Sequence, residues 1–145
     1  MLLVKTTLAP SLIEGLGVFA AEHIRKGAVV WKFVPGVDIL LDDEELRLLP
    51  ALVLEHCTRY AYRHGRMGKY VLCCDDARFV NHSDNPNTIG LYPLGDDQGL
   101  DIAIRDIRMG EEITCDYATF DPDFEGKLSI PQTASFGTTK QVSNN

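Results

Sequence analysis

Turn-forming glycines and prolines cut the apolar runs of this chain short, and that punctuation limits what it can fold into. Residues 2–8 (LLVKTTL) read as a strand that Pro10 and Ser11 interrupt. Gly15 and Gly17 punctuate the next stretch, and Lys26-Gly27 marks a turn before residues 28–34, AVVWKFV. That β-branched and aromatic run is a strand ended by Pro35-Gly36, and a short strand over 37–41 follows. Asp42 then caps a helix over 43–49, with acidic residues in its first turn and Pro50 as its stop. Residues 51–59 add one or two further helical turns. Beyond the 65–68 turn, strands are expected at 69–74, 88–94, 100–104 and 113–115, the middle two joined as a hairpin through GDDQG. Many short strands, one or two short helices and long polar crossovers describe a mainly β fold of small sheets. They do not describe alternating β-α units.

At 145 residues the chain holds one core, and 45% hydrophobic with 24% charged residues is the composition of a soluble globular protein. No apolar run approaches the ~18–20 residues of a membrane helix. The opening MLLVKTT lacks the apolar core and cleavage site of a secretory signal, so an intracellular protein with no membrane partner is expected. A net charge of −7 opposes a nucleic acid as the main ligand and suits a basic protein segment. Cys57, Cys73, Cys74 and Cys115 show no CxxC or zinc-finger spacing and read as buried thiols. Residues 129–145 are polar, with Lys140 as their only charge, and are read as disordered or as a docked C-terminal arm.

Three segments carry candidate chemistry. Gly15-Leu16-Gly17-Val18-Phe19-Ala20 fits a dinucleotide fingerprint by spacing. The strand before it is interrupted, and a helix after it could run only from about Ala20 to Arg25. Alone it is a glycine-rich turn whose backbone a ligand could approach closely. The second segment runs Arg78-Phe79-Val80-Asn81-His82-Ser83-Asp84-Asn85-Pro86-Asn87. Asn81 and His82 together offer donors and acceptors suited to an amino-acid or nucleoside ligand, while isolated they would be turn chemistry. The third is Gly110-Glu111-Glu112-Ile113-Thr114-Cys115-Asp116-Tyr117. Its adjacent carboxylates point to opposite faces of a strand, which disfavours two-carboxylate hydrolysis. Tyr117 can present a hydroxyl to a cavity.

In this order and spacing, the three segments resemble the SET-domain family of protein-lysine methyltransferases over roughly Leu8 to Phe120. The resemblance implies small curved β-sheets around a pseudoknot, with residues 1–120 as the SET domain and 121–145 as a C-terminal arm. It implies S-adenosylmethionine as methyl donor, bound by Gly15, Leu16, Gly17, Arg78, Phe79, Asn81 and His82, with Phe120 or Phe124 covering the adenine. Tyr117 falls on the catalytic tyrosine. Phe33, Tyr62 and Tyr117 are expected to contact the substrate lysine, although the alignment of Tyr60, Tyr62 and Tyr70 stays open. The implied partner is a basic, histone-like or otherwise Lys-rich protein segment, with a homodimer left open.

Two departures from the family pattern bear on the site. Asp84 stands where many members have a zinc-binding Cys, and no Cys follows Cys115, so no zinc is expected. The stretch from Phe124 to Phe136 is then the candidate to close the substrate channel. Phe33 replaces a frequent tyrosine, which points to room for di- or trimethylation. The alternatives are a non-catalytic SET-like protein-binding module, a nucleotide-dependent oxidoreductase built on residues 15–20, and an acidic adaptor.

Overall fold

The computed structural model describes residues 1–123. Four small sheets, two short α-helices and two single-turn 3-10 helices make up the regular structure of these residues. Strands β1 (Thr6–Pro10) and β2 (Leu16–Ala20) form an antiparallel hairpin, with Pro10 paired to Leu16 at its turn end. The expected break at Pro10 is therefore the last residue of a strand. A proline can occupy the end of an edge strand because no ladder donor is needed there. No helix follows the glycines, because residues 16–20 extend as β2 and alternate burial at Val18 and Ala20.

Strand β3 (Val29–Lys32) lies at one edge of a three-stranded antiparallel sheet, followed by β9 (Leu100–Ala103) and β8 (Thr88–Leu91). The second three-stranded sheet orders β4 (Ile39–Leu41), β6 (Tyr70–Leu72) and β5 (Tyr62–Arg63). Helix α1 (Asp43–Arg47) starts at a capping box: the Asp42 carboxylate accepts from the Glu44 and Glu45 amides, and Glu45 accepts from the Asp42 amide. Helix α2 (Ala51–Tyr60) follows Pro50 and buries only Cys57.

The fourth sheet is a two-residue parallel pair, β7 (Asn81–His82) with β10 (Thr114–Cys115). The polar run after Val80 thus begins with a strand, where the sequence reads as a continuous turn. The closing segment also docks along β2. Ile113 donates to the Val18 carbonyl at 2.7 Å, Ala20 to Glu111 at 2.9 Å, and Gly110 to Ala20 at 2.7 Å. Val18, Val30, Ala103, Ile107 and Ile113 are at most 1% exposed and join these pieces into one core. Each of these Val and Ile side chains contributes about 1.5–3 kcal/mol by burial. A second cluster of Trp31, Phe33, Val71 and Cys73 joins the two three-stranded sheets. Among the described residues, no helix is long and apolar enough to cross a membrane.

Candidate functional site

Asn87 clamps the closing segment beside the central loop. Only 2% exposed, it accepts the Thr114 amide on Oδ1 at 2.9 Å and donates from Nδ2 to the Glu112 carbonyl at 2.7 Å. The Thr88 hydroxyl donates to the Thr114 carbonyl at 2.8 Å. These bonds satisfy buried backbone groups that a two-residue strand cannot pair alone. They also deliver Tyr117 to the loop. Its amide donates to His82 Nδ1 at 3.2 Å, and its hydroxyl donates to the Val80 carbonyl at 2.6 Å. His82 Nε2 faces the Asp84 carboxylate at 3.3 Å, and Nδ1 lies 3.7 Å from Asp116.

The glycine turn is tied to the same place by Asn81. Its side-chain amide reaches the carbonyls of Glu14 and Leu16, each at 3.1 Å, and Glu112 Oε1 at 2.8 Å. Ser11 Oγ donates to the other Glu112 oxygen at 2.9 Å. Gly15 sits at φ +45°, and a Cβ at Gly17 would overlap the Glu112 carboxylate. Gly15 is therefore favoured by its left-handed backbone, and a side chain at Gly17 would push the Glu112 carboxylate off Asn81.

Against this frame lies a cavity with about 970 Å³ of empty space, part of it open to solvent. Arg78, Tyr62, Tyr117 and Phe120 line it, together with Tyr60, Trp31 and Tyr92. The rings form a connected set: Phe120 lies 5.0 Å from Tyr62 and 5.8 Å from Tyr117 in edge-to-face contacts, and Tyr117 lies 5.4 Å from His82. Burial raises the pKa of Tyr117 and Tyr62 above the ordinary phenol value and pushes the Cys73 thiol up to about 12. Cys115, also in the wall, is raised by the same cause. At neutral pH these phenols and thiols are protonated, which leaves no thiolate or phenolate nucleophile among them.

Of the residues expected at the site, Arg78, Tyr62, Tyr117 and Phe120 line the cavity. Gly15, Leu16, Gly17, Asn81 and His82 do not; they join it through the Asn81 and Tyr117 hydrogen bonds. Phe79 packs its ring edge-on against Tyr60 at 5.7 Å. Phe33 is not in the wall: it lies past the end of β3, where its ring is buried with Val71 and Cys73. Phe33 therefore does not set the room in this cavity for a second or third methyl group. Among the tyrosines left open, Tyr60 and Tyr62 line the cavity, whereas Tyr70 is outside it with its hydroxyl 3.3 Å from Asp123. Phe124 and the stretch to Phe136 lie outside the described residues.

Sequence reading missed Trp31, His64, Tyr92, Asp101 and Asp121, all of which line the cavity. Only the alternation of β3 hinted at any of them, by setting Trp31 on the face opposite Lys32. Among the described residues, no group of three or more His, Cys, Asp or Glu is placed to hold a metal ion.

A family model described as SET domain matches residues 15–118. No curated protein sequence matches the chain. Among solved structures, a candidate histone methyltransferase of Plasmodium falciparum is 22% identical, with a TM-score of 0.54 over 79% of this chain and 93% of that one. Chaetomium thermophilum Polycomb Repressive Complex 2 bound to GSK126 is 23% identical, with a TM-score of 0.63 over 86% of this chain. The same complex in an autoinhibited conformation bound to S-adenosylmethionine is 25% identical, with a TM-score of 0.62 over 86% of this chain. This chain spans only 17% and 16% of those two Polycomb chains.

Proposed function

Because the chain belongs to the SET-domain family, whose model spans residues 15–118, we propose that it transfers methyl groups from S-adenosylmethionine to lysine side chains of a basic protein. The observation that carries this reading is the fixed Tyr117 hydroxyl, held by Val80 in the wall of an aromatic cavity. The surroundings fit the cofactor. A glycine turn exposed at Gly15 and Leu16 stands beside the Asn81–Glu112 pair, whose carboxylate complements a cationic ligand, and Arg78 in the wall complements a carboxylate. A related Polycomb structure is recorded with S-adenosylmethionine bound, which supports the choice of donor.

S-adenosylmethionine, when bound, supplies an activated sulfonium methyl. The chain's own part is to deliver and orient a neutral amine. A lysine has an ordinary pKa of about 10.4, and entry among Tyr62, Tyr117 and Phe120 disfavours its ammonium by desolvation. Tyr117 stays protonated and already spends its hydrogen on Val80, so its oxygen faces the site as an acceptor, not as a base. Holding the amine in line supplies most of the acceleration. Gly15, Leu16, Gly17, Phe79, Asn81 and His82 are proposed on the cofactor side, with Phe120 between cofactor and channel.

Incubating the chain with labelled S-adenosylmethionine and a histone mixture, then mapping label by mass, tests the activity. Label on lysine is expected. Tyr117→Phe should lower transfer at least ~10²-fold while calorimetry shows cofactor binding kept within a few-fold. Cofactor binding without transfer to any basic protein would favour the non-catalytic binding module.

A further inference from the structure

We propose that Asp101 is the residue that receives the substrate ammonium in the cavity: its carboxylate pairs with the incoming lysine and takes up one proton from it. The inference rests on the methyltransferase reading and extends it to a residue outside the three motifs.

The placement follows from sheet register. Asp101 on β9 pairs with Trp31 on β3 and with Gly90 on β8, so the three form one cross-strand row, and all three line the cavity. Residues directly opposite one another share a face of the sheet. Gly90 contributes no side chain, and a Cβ there would come within 3.4 Å of Asp101 Oδ1. The Asp101 carboxylate thus stands beside a position that carries no side chain of its own. That carboxylate has no hydrogen-bond or ion-pair partner among the described residues. Half-buried and without a partner, it is partly desolvated, which makes its charge costly and an arriving cation favourable.

Its neighbours define what it can accept. Tyr62 and Tyr92 both feel its charge, and so does the Cys115 thiol, which in turn acts on Tyr117. The Met1 ammonium, itself 2.9 Å from Asp38, is the positive group that acts on Asp101. His64 lies in the same wall, and burial lowers its pKa, so it is neutral at neutral pH. Asp121 in the wall adds further acidic character. Arg59 and Arg78 also line the cavity, but neither acts on Asp101, so its carboxylate is the group there that is open to an incoming cation. Burial pushes Asp101 up to about 6, which makes it a better proton acceptor than an ordinary aspartate. In the step, one N–H bond of the lysine ammonium breaks and one O–H bond forms on Asp101. The amine is left neutral, and Asp101 later returns its proton to solvent. Asp101 thus draws the ammonium in by charge, and desolvation of the pair then favours its neutral form, where an apolar channel alone would only repel the ammonium.

The test uses the full chain, labelled S-adenosylmethionine and the histone mixture, with transfer measured from pH 5 to 9. Wild-type kcat/KM should rise through about pH 6 as Asp101 ionises. Asp101→Asn should lower kcat/KM at least tenfold at pH 8 and lose that acidic limb, Asp101→Glu should restore part of it, and cofactor affinity should be unchanged. An Asp101→Asn chain with the wild-type rate and pH profile overturns the role of Asp101 and leaves methyl transfer standing. One that also loses S-adenosylmethionine overturns it too, since the residue then serves the fold. A wild-type chain that labels no lysine overturns both readings.

Discussion

Asn81 acts through what it holds together. Its one amide joins the glycine turn, through two carbonyls, to the Glu112 carboxylate of the closing segment. Removing it leaves those acceptors without a donor at a position only 9% exposed. Asn81→Ala should therefore cost about 2–3 kcal/mol in urea unfolding. It should also weaken calorimetric binding of S-adenosylmethionine more than tenfold, because the turn loses its anchor. An unchanged affinity would mean that the turn does not meet the cofactor. The sequence marks Asn81 as chemically unusual after Phe79-Val80, but not the direction in which it points.

At the scale of elements, the decisive one is the shortest. Strands β7 and β10 contribute two residues each, too few to hold by ladder bonds alone. Asn87 and Thr88 supply the missing bonds from side chains. Asn87→Ala should lower stability by about 2 kcal/mol. Amide exchange at 114–117 should accelerate before exchange in β3 and β9 does, since local opening there precedes global unfolding. Uniform acceleration across all strands would count against a local clamp. In sequence, Asn87 looks like one more turn residue in a polar run, because its partners lie more than twenty positions away.

For the whole molecule, Asp101 leaves a trace in pH dependence. A carboxyl whose folded pKa is about 6, against an ordinary 3.8, favours folding when protonated. Its ionisation therefore destabilises the fold as pH rises through that interval, and the penalty is complete above about 6. Asp101→Asn should raise Tm at pH 8, by the equivalent of about 1–3 kcal/mol, and leave it near wild type at pH 4. Equal Tm values at both pH values would show that the carboxylate is already solvated or paired. His64 works in the opposite sense: its lowered pKa means that stability falls as pH drops below about 6.5. The Asp101→Asn difference isolates one group from the other.

What the sequence determined by itself is local or ordered along the chain: the α1 capping box at Asp42, the β8–β9 hairpin, the alternation of β3, and three motifs whose order marks the family. These are legible because turn chemistry, capping and period-two burial act within a few residues. Tertiary structure alone decided that Tyr117 meets Val80, that Trp31 and not Phe33 lines the cavity, and that Asp101 enters it across Gly90. Each depends on register between strands distant in sequence. A shift of one residue there would turn every side chain to the other face, and no local pattern records which register forms.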